Sequence, residues 1–208
     1  MDDIGTNNHV QLCGVPVGEA EYSHSARTQD FFIFPLEVRR LSGNTDTLNV
    51  VIREDMLRSV VPYEKLCLTG ELRTFNSRRG DWPRLVITVF ARHIEPCGDE
   101  DMNLVRLRGT ICRPPKARAT PMGRDICDLM LAVNRHYGRS DYLPCICWGA
   151  RAREAALWGV GTRISLAGRV QSRRYVKLTE EGAVERTAFE VSMTEAAVEY
   201  AVSAAGQS

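Results

Sequence analysis

Asn8-His-Val10-Gln-Leu12-Cys-Gly14 recurs 95 residues later as Asn103-Leu-Val105-Arg-Leu107-Arg-Gly109, so the same N-x-V-x-L-x-G pattern opens each half of this 208-residue chain. Within the motif apolar and polar residues alternate, the period of a β-strand with one buried face. Self-similarity at a fixed spacing marks a duplicated unit, and the matches continue outward from the motif. Phe34-Pro-Leu36-Glu-Val38-Arg-Arg40 lies 95 residues before Leu129-Met-Leu131-Ala-Val133-Asn-Arg135, and Val50-Val-Ile52 lies 95 before Cys145-Ile-Cys147. A three-residue insertion then shifts the next match, Leu66-Cys-Leu68-Thr-Gly70 against Ile164-Ser-Leu166-Ala-Gly168.

Between the third and fourth strands each half carries a helix-like stretch, Glu54 to Val61 and the Ala-rich Ala150 to Trp158. The last strands follow as Leu85-Val-Ile87-Thr-Val89 and Phe189-Glu-Val191-Ser-Met193. Three strands, a helix and two strands is the order of the OB-fold, a partly open five-stranded Greek-key barrel. The sequence therefore predicts an all-β chain of two tandem OB barrels over residues 8–96 and 103–199. A charged connector, 97–102, which follows Pro96 and contains Gly98, joins them, and a small polar tail, 200–208, follows.

Net charge is only +1, but it is unevenly spread. Residues 1–102 hold 11 Arg/Lys and 16 Asp/Glu, a balance of −5, whereas residues 103–208 hold 16 and 10, a balance of +6. The acidic start Met1-Asp2-Asp3 is unlike a signal peptide, and apolar runs such as Leu85 to Ala91 are strand-sized, so a cytoplasmic protein without a membrane span is expected. Seven scattered cysteines suggest buried thiols rather than a disulfide framework, and Cys145-Ile-Cys147 suits a strand face better than a zinc site. The four histidines lack metal-ligand spacing, and no phosphate-cradling Gly-Lys-Ser/Thr loop is present. These features point away from an enzyme, a metal or a cofactor.

The second half resembles the bacterial single-stranded DNA-binding protein family, and the related primosomal replication protein. The resemblance rests on Asn103 to Gly109, Thr120-Pro-Met-Gly123, Tyr142-Leu-Pro-Cys-Ile-Cys-Trp148-Gly149, and the run from Gly161 through Gly168 to Arg173-Arg174-Tyr175. It implies a sequence-tolerant, non-enzymatic binder of single-stranded DNA acting in replication, recombination or repair. Base-stacking aromatics of the family fall on Tyr137, Tyr142, Trp148 and Tyr175. The cations nearest to them, Arg135, Arg139, Arg151, Arg173, Arg174 and Lys177, are expected on phosphates. The same aromatic positions in the first half are Ser42, Thr47, Arg53 and Ser77, so binding is expected to concentrate on the second barrel. The candidate contacts of the first barrel are Arg53, Arg73, Phe75, Arg78, Arg79 and Trp82. Ser172 to Lys177, with the residues up to Glu185, reads as a strand entering a long hairpin whose loop is able to fold over a bound strand.

The family commonly presents four barrels, which implies a homodimer of this two-barrel chain, with replication or repair proteins as further partners. A primosome-type adaptor, whose barrel surface binds a helicase or another replication protein, is the alternative reading.

Overall fold

The computed structural model describes residues 7–40, 42–77, 84–99, 101–135, 138–179 and 182–199. The first half contributes β1 (Asn8–Pro16), β2 (Glu21–Ala26), β3 (Gln29–Arg39), β4 (Thr45–Arg53), β5 (Leu66–Ser77) and β6 (Arg84–Pro96). The second contributes β7 (Met102–Ile111), β8 (Lys116–Ala119), β9 (Asp125–Asn134), β10 (Ser140–Trp148), β11 (Arg163–Thr179) and β12 (Gly182–Val198). In each half five strands close on themselves: β1 pairs with β3 and β5, and a parallel β4–β6 contact completes the ring, with β7, β9, β10, β12 and β11 repeating the circuit. These are two OB barrels. Each carries a sixth strand that the sequence reading passed over, β2 hydrogen-bonded to β3 and β8 to β9. The residues of both added strands are exposed, so they lack the apolar alternation that reveals a core strand.

The helices between the third and fourth barrel strands differ between the halves. Glu54–Ser59 is a 3-10 helix, and Ala150–Ala155 is an α-helix, α1, whose Ala152 and Ala155 are buried. Alanine favours the α-helix, and the three inserted residues lengthen the return to β11. The hairpin expected after Ser172 is a long two-stranded ribbon, the β11–β12 ladder continuing to Thr179 and Gly182.

Each position of the opening motif has a structural reason. Val10, Leu12, Val105 and Leu107 point into the barrels and are buried. Asn8 accepts from the Leu72 N–H at 2.9 Å and donates to the Leu72 carbonyl at 2.7 Å. Asn103 does the same to Val170, at 3.0 and 2.8 Å, so the motif asparagine acts as a side-chain rung between first and fourth barrel strands. The glycine lies where the strand turns toward a second partner. A Cβ on Gly14 would stand 2.4 Å from the Glu37 carbonyl oxygen, and one on Gly109 2.6 Å from that of Ala132. Gly70 and Gly168 sit at bulges, with Cβ positions 2.2 and 2.3 Å from carbonyl oxygens of the fifth barrel strand.

The barrels are joined edge to edge. β1 and β7 run antiparallel from Asn8↔Leu107 to Cys13↔Met102, merging both halves into one 12-stranded sheet. Val10 and Val105 are equivalent residues of the repeat and face each other in this ladder, so the pseudo-twofold axis passes between them. Two clasps related by that axis flank the seam. Fully buried Asp46 accepts from the Ser172 N–H and hydroxyl, both at 2.7 Å, while Arg40 binds the same carboxylate and donates to the Ser172 carbonyl at 2.9 Å. Fully buried Asp141 accepts from the Thr74 N–H at 2.6 Å, while Arg135 binds this carboxylate and donates to the Thr74 carbonyl at 3.2 Å. Burial pushes both carboxyls up. The arginine and backbone hydrogen bonds outweigh it and hold each below its ordinary value.

One cysteine expectation is corrected. Cys13 and Cys67, opposite each other on β1 and β5, form a disulfide. Their spacing of 54 residues conceals a juxtaposition that only the strand register creates. Cys127, Cys145 and Cys147 are free and buried, and burial raises the Cys147 thiol to about 12.

Candidate nucleic-acid interface

With the core side chains pointing inward, the alternate residues of each strand form the outer face of each barrel. On β10 these are Tyr142, Pro144 and Trp148, with Ile146 in the same phase but covered, all opposite to the inward Leu143, Cys145 and Cys147. Tyr142 is 51% exposed, enough for a base to stack on its ring. Trp148 is half-buried, and the Arg124 guanidinium lies 5.1 Å from its centroid. Tyr175, on β11, carries Arg173 at 5.8 Å from its centroid. Tyr137 lies outside the described residues.

The cations expected on phosphates are placed unevenly. Arg139 and Arg174 are exposed, and Arg151 is half-buried on α1. Arg173 is exposed and lies 3.7 Å from Glu190. Lys177 is on β11, but its side chain is outside the described residues. Arg135 is held in the clasp by Asp141 and the Thr74 carbonyl, so most of its donors serve the seam between barrels.

The first barrel, whose aligned positions hold no rings, brings a different set together. A groove of about 890 Å³ is lined by Tyr22, His24, Phe75 and Phe90, with Ile33, Val51 and Val86 as its apolar floor. Phe31 stacks on His24 at 4.9 Å and meets Phe90 at 5.7 Å, and the Arg92 guanidinium covers Phe90 at 4.8 Å. Arg73 and Arg135 line the end of the groove at the seam. Of the residues expected here, Phe75 is 52% exposed in the groove, and Arg73 pairs with Glu71 and, at 3.1 Å, with Asp141. Arg53 is occupied by Asp55 at 2.7 Å, and Arg78, Arg79 and Trp82 lie outside the described residues.

Tyr22, His24, Phe31, Phe90 and Arg92 were missed by matching positions between halves. A readable signal existed in the alternation of β6, where Thr88, Phe90 and Arg92 fall out of phase with the buried Ile87, Val89 and Ala91. The two faces approach each other at one clasp. The Tyr142 N–H donates to the Thr74 hydroxyl at 3.0 Å, so Tyr142 of one barrel and Phe75 of the other flank the same junction.

Among the described residues no helix is long and apolar enough to cross a membrane.

A family model described as the single-strand binding protein family matches residues 102–198. The chain is similar to single-stranded DNA-binding protein 2 of Listeria innocua, 33% identical over 81 residues that make up 36% of this chain and 51% of the relative. It is 32% identical over 81 residues to the single-stranded DNA-binding protein of Halalkalibacterium halodurans, covering 36% of this chain and 48% of the relative. The chain thus spans about half the length of the curated relatives it matches. The crystal structure of the wild-type single-stranded DNA binding protein from Thermus aquaticus superposes with a TM-score of 0.77 at 18% identity over 96% of both chains, a likeness in fold that includes both barrels. Residues 102–198, the second barrel, are thus the part of this chain that is similar to the single-strand binding protein family.

Proposed function

We propose that this protein binds single-stranded DNA without chemical turnover, along a path that crosses the outer faces of both barrels. The observation that carries the reading is the pairing of rings with arginines on both faces: Phe90 with Arg92, Trp148 with Arg124, Tyr175 with Arg173. A base needs a flat apolar surface, and its phosphate needs a cation one side chain away. A guanidinium resting on a ring supplies both, because it can swing to a phosphate as a base takes its place, or sandwich the base. None of these contacts reads the edge of a base, so the binding tolerates sequence.

In the second barrel Tyr142, Trp148 and Tyr175 stack bases, with Arg139, Arg151, Arg173, Arg174 and Lys177 on the phosphate path. Tyr137 belongs to the same set by its place in the family pattern. In the first barrel Tyr22, Phe75 and Phe90 form a second stacking site, with Arg73 and Arg92 beside it. Phe75 and Tyr142 hand the strand across the junction. Two chains associate to present four barrels, and light scattering of the purified protein should return twice the 23.3 kDa chain mass at micromolar concentration. A monomer at that concentration would remove the dimer from the proposal.

Fluorescence titration with oligo-dT tests the binding itself. Tight binding at low salt that weakens steeply as salt rises is expected, because each neutralised phosphate releases counterion. Absence of binding at low salt would sink the proposal.

A further inference from the structure

Cys13, Cys67 and Cys97 do not line the ring-bearing groove, yet their three sulfur atoms all lie within 4.8 Å of one another. Two of them form the β1–β5 disulfide, and Cys97, one residue beyond the end of β6 at Pro96, keeps a free thiol. A thiol beside a disulfide needs no outside oxidant to react, since exchange is attack of a thiolate on one of the bonded sulfurs. The chain around Cys97 can follow such a reaction. The β5–β6 ladder ends at Leu66↔Pro96, and residues 97–99 belong to no strand.

We propose that Cys97 exchanges with this disulfide, forming a Cys13–Cys97 bond and releasing Cys67 as a thiol. Cys97 first gives its proton to water. Its sulfur electron pair then bonds to Cys13 Sγ as the Cys13–Cys67 bond breaks, with that bond's pair departing on Cys67 Sγ, which takes up a proton. One disulfide is lost and one gained, so the oxidation state of the protein is unchanged.

Burial decides which sulfur leaves. Cys13 is 3% exposed, whereas Cys67 is half-buried. A departing thiolate is better stabilised at the more hydrated position, and a thiol of lower pKa leaves faster. The groups around Cys97 set the pace. Burial raises its thiol most, Lys65 opposes that, and Glu95, Asp101 and Asp99 raise it further. The thiolate is therefore scarce near neutrality, and the rate climbs about tenfold per pH unit until the thiol has titrated. The new bond would staple the connector to β1, the strand that pairs with β7 across the two barrels.

Full-length protein holding the Cys13–Cys67 bond, kept free of reductant at pH 6.5 or 8.5, is sampled over time, quenched with acid, alkylated at acid pH and mapped by peptide mass spectrometry. The expected result is a growing Cys13–Cys97 cross-link with alkylated Cys67, forming many-fold faster at pH 8.5. Persistence of Cys13–Cys67 alone at every time and both pH values overturns the proposal. In a second arm Cys67→Ser is treated with glutathione disulfide, with circular dichroism confirming its fold. A Cys13–Cys97 bond supports the proposal, and Cys97 carrying only glutathione overturns it. Should that variant not fold, the time course of the unaltered protein still decides.

Discussion

On the first barrel, β5 and β6 set Glu71, Arg73 and Phe75 opposite Phe90, Thr88 and Val86. On the second, β11 and β12 set Arg169, Gln171 and Arg173 opposite Ser192, Glu190 and Ala188. The inward residues of these strands keep their character between the halves, while the outward ones have been exchanged almost completely. The first barrel gathers its rings into one groove with arginines at its edge. The second spreads three described rings over its face and holds a nearly buried Glu190 at its centre, hydrogen-bonded by Gln171 at 3.0 Å. Duplication has therefore conserved what packs and hydrogen-bonds the barrel and freed what meets the ligand. Net charge of a half does not describe its groove, where Arg73 and Arg92 share Glu71 and the second half contributes Arg135, paired with Asp141.

The strongest challenge to this comparison falls on the clasps, where the halves are related but unequal. Removing a buried, paired carboxylate strands its cations and donors, at about 3–5 kcal/mol. Asp141→Ala leaves both Arg135 and Arg73 without it, and Asp46→Ala leaves only Arg40 among the arginines, so urea unfolding should show the larger loss for Asp141. Equal losses would mean that the asymmetry at the seam has no energetic weight.

Next in size are the rings. Phe90→Ala and Phe75→Ala in the first barrel, and Tyr142→Ala and Trp148→Ala in the second, should each weaken oligo-dT binding by about 1–3 kcal/mol. Loss confined to the second-barrel pair would make the first groove a structural feature. Loss confined to the first would reverse the expectation drawn from aligned positions.

Acid titration separates the clasps from the rest of the fold. Asp46 and Asp141 have folded pKa values below their unfolded ones, so their contribution is fully present above the unfolded value near 3.9 and is lost as pH falls through the depressed folded values. Stability measured by denaturant unfolding should drop in that acid window, and Asp46→Asn with Asp141→Asn should flatten the drop. An unchanged profile would remove the clasps as its cause. The smallest effect belongs to exposed cations: Arg139→Ala should lower the slope of log affinity against log salt by about 0.7, the value for one phosphate contact on a single strand. A slope unchanged by Arg139→Ala would place Arg139 off the path.

Much of the architecture was legible in the chain because a duplicated barrel repeats its own constraints. The inward Val and Leu, the Asn rung and the Gly at close approaches recur in order, and each is demanded by backbone geometry common to both halves. The outer strands β2 and β8 were not legible, since exposed strands carry no apolar period. The second-barrel rings could be placed by resemblance, and Tyr142, Trp148 and Tyr175 do share the outer face. Arg135 serves the seam rather than a phosphate through a spacing that the repeat itself carries, Arg40 to Asp46 in the first half and Arg135 to Asp141 in the second.

By itself the sequence determined that this protein is two copies of one β-barrel, since strand period and glycine placement are local consequences of residue type. Only the tertiary structure decided which outward residues meet. The Phe31, Phe90 and His24 cluster, the Cys13–Cys67 bond with Cys97 beside it, and the Asp141 clasp beside Phe75 and Tyr142 each join residues from strands far apart in the chain. Strand register and barrel closure bring them together, and no local pattern encodes that distance.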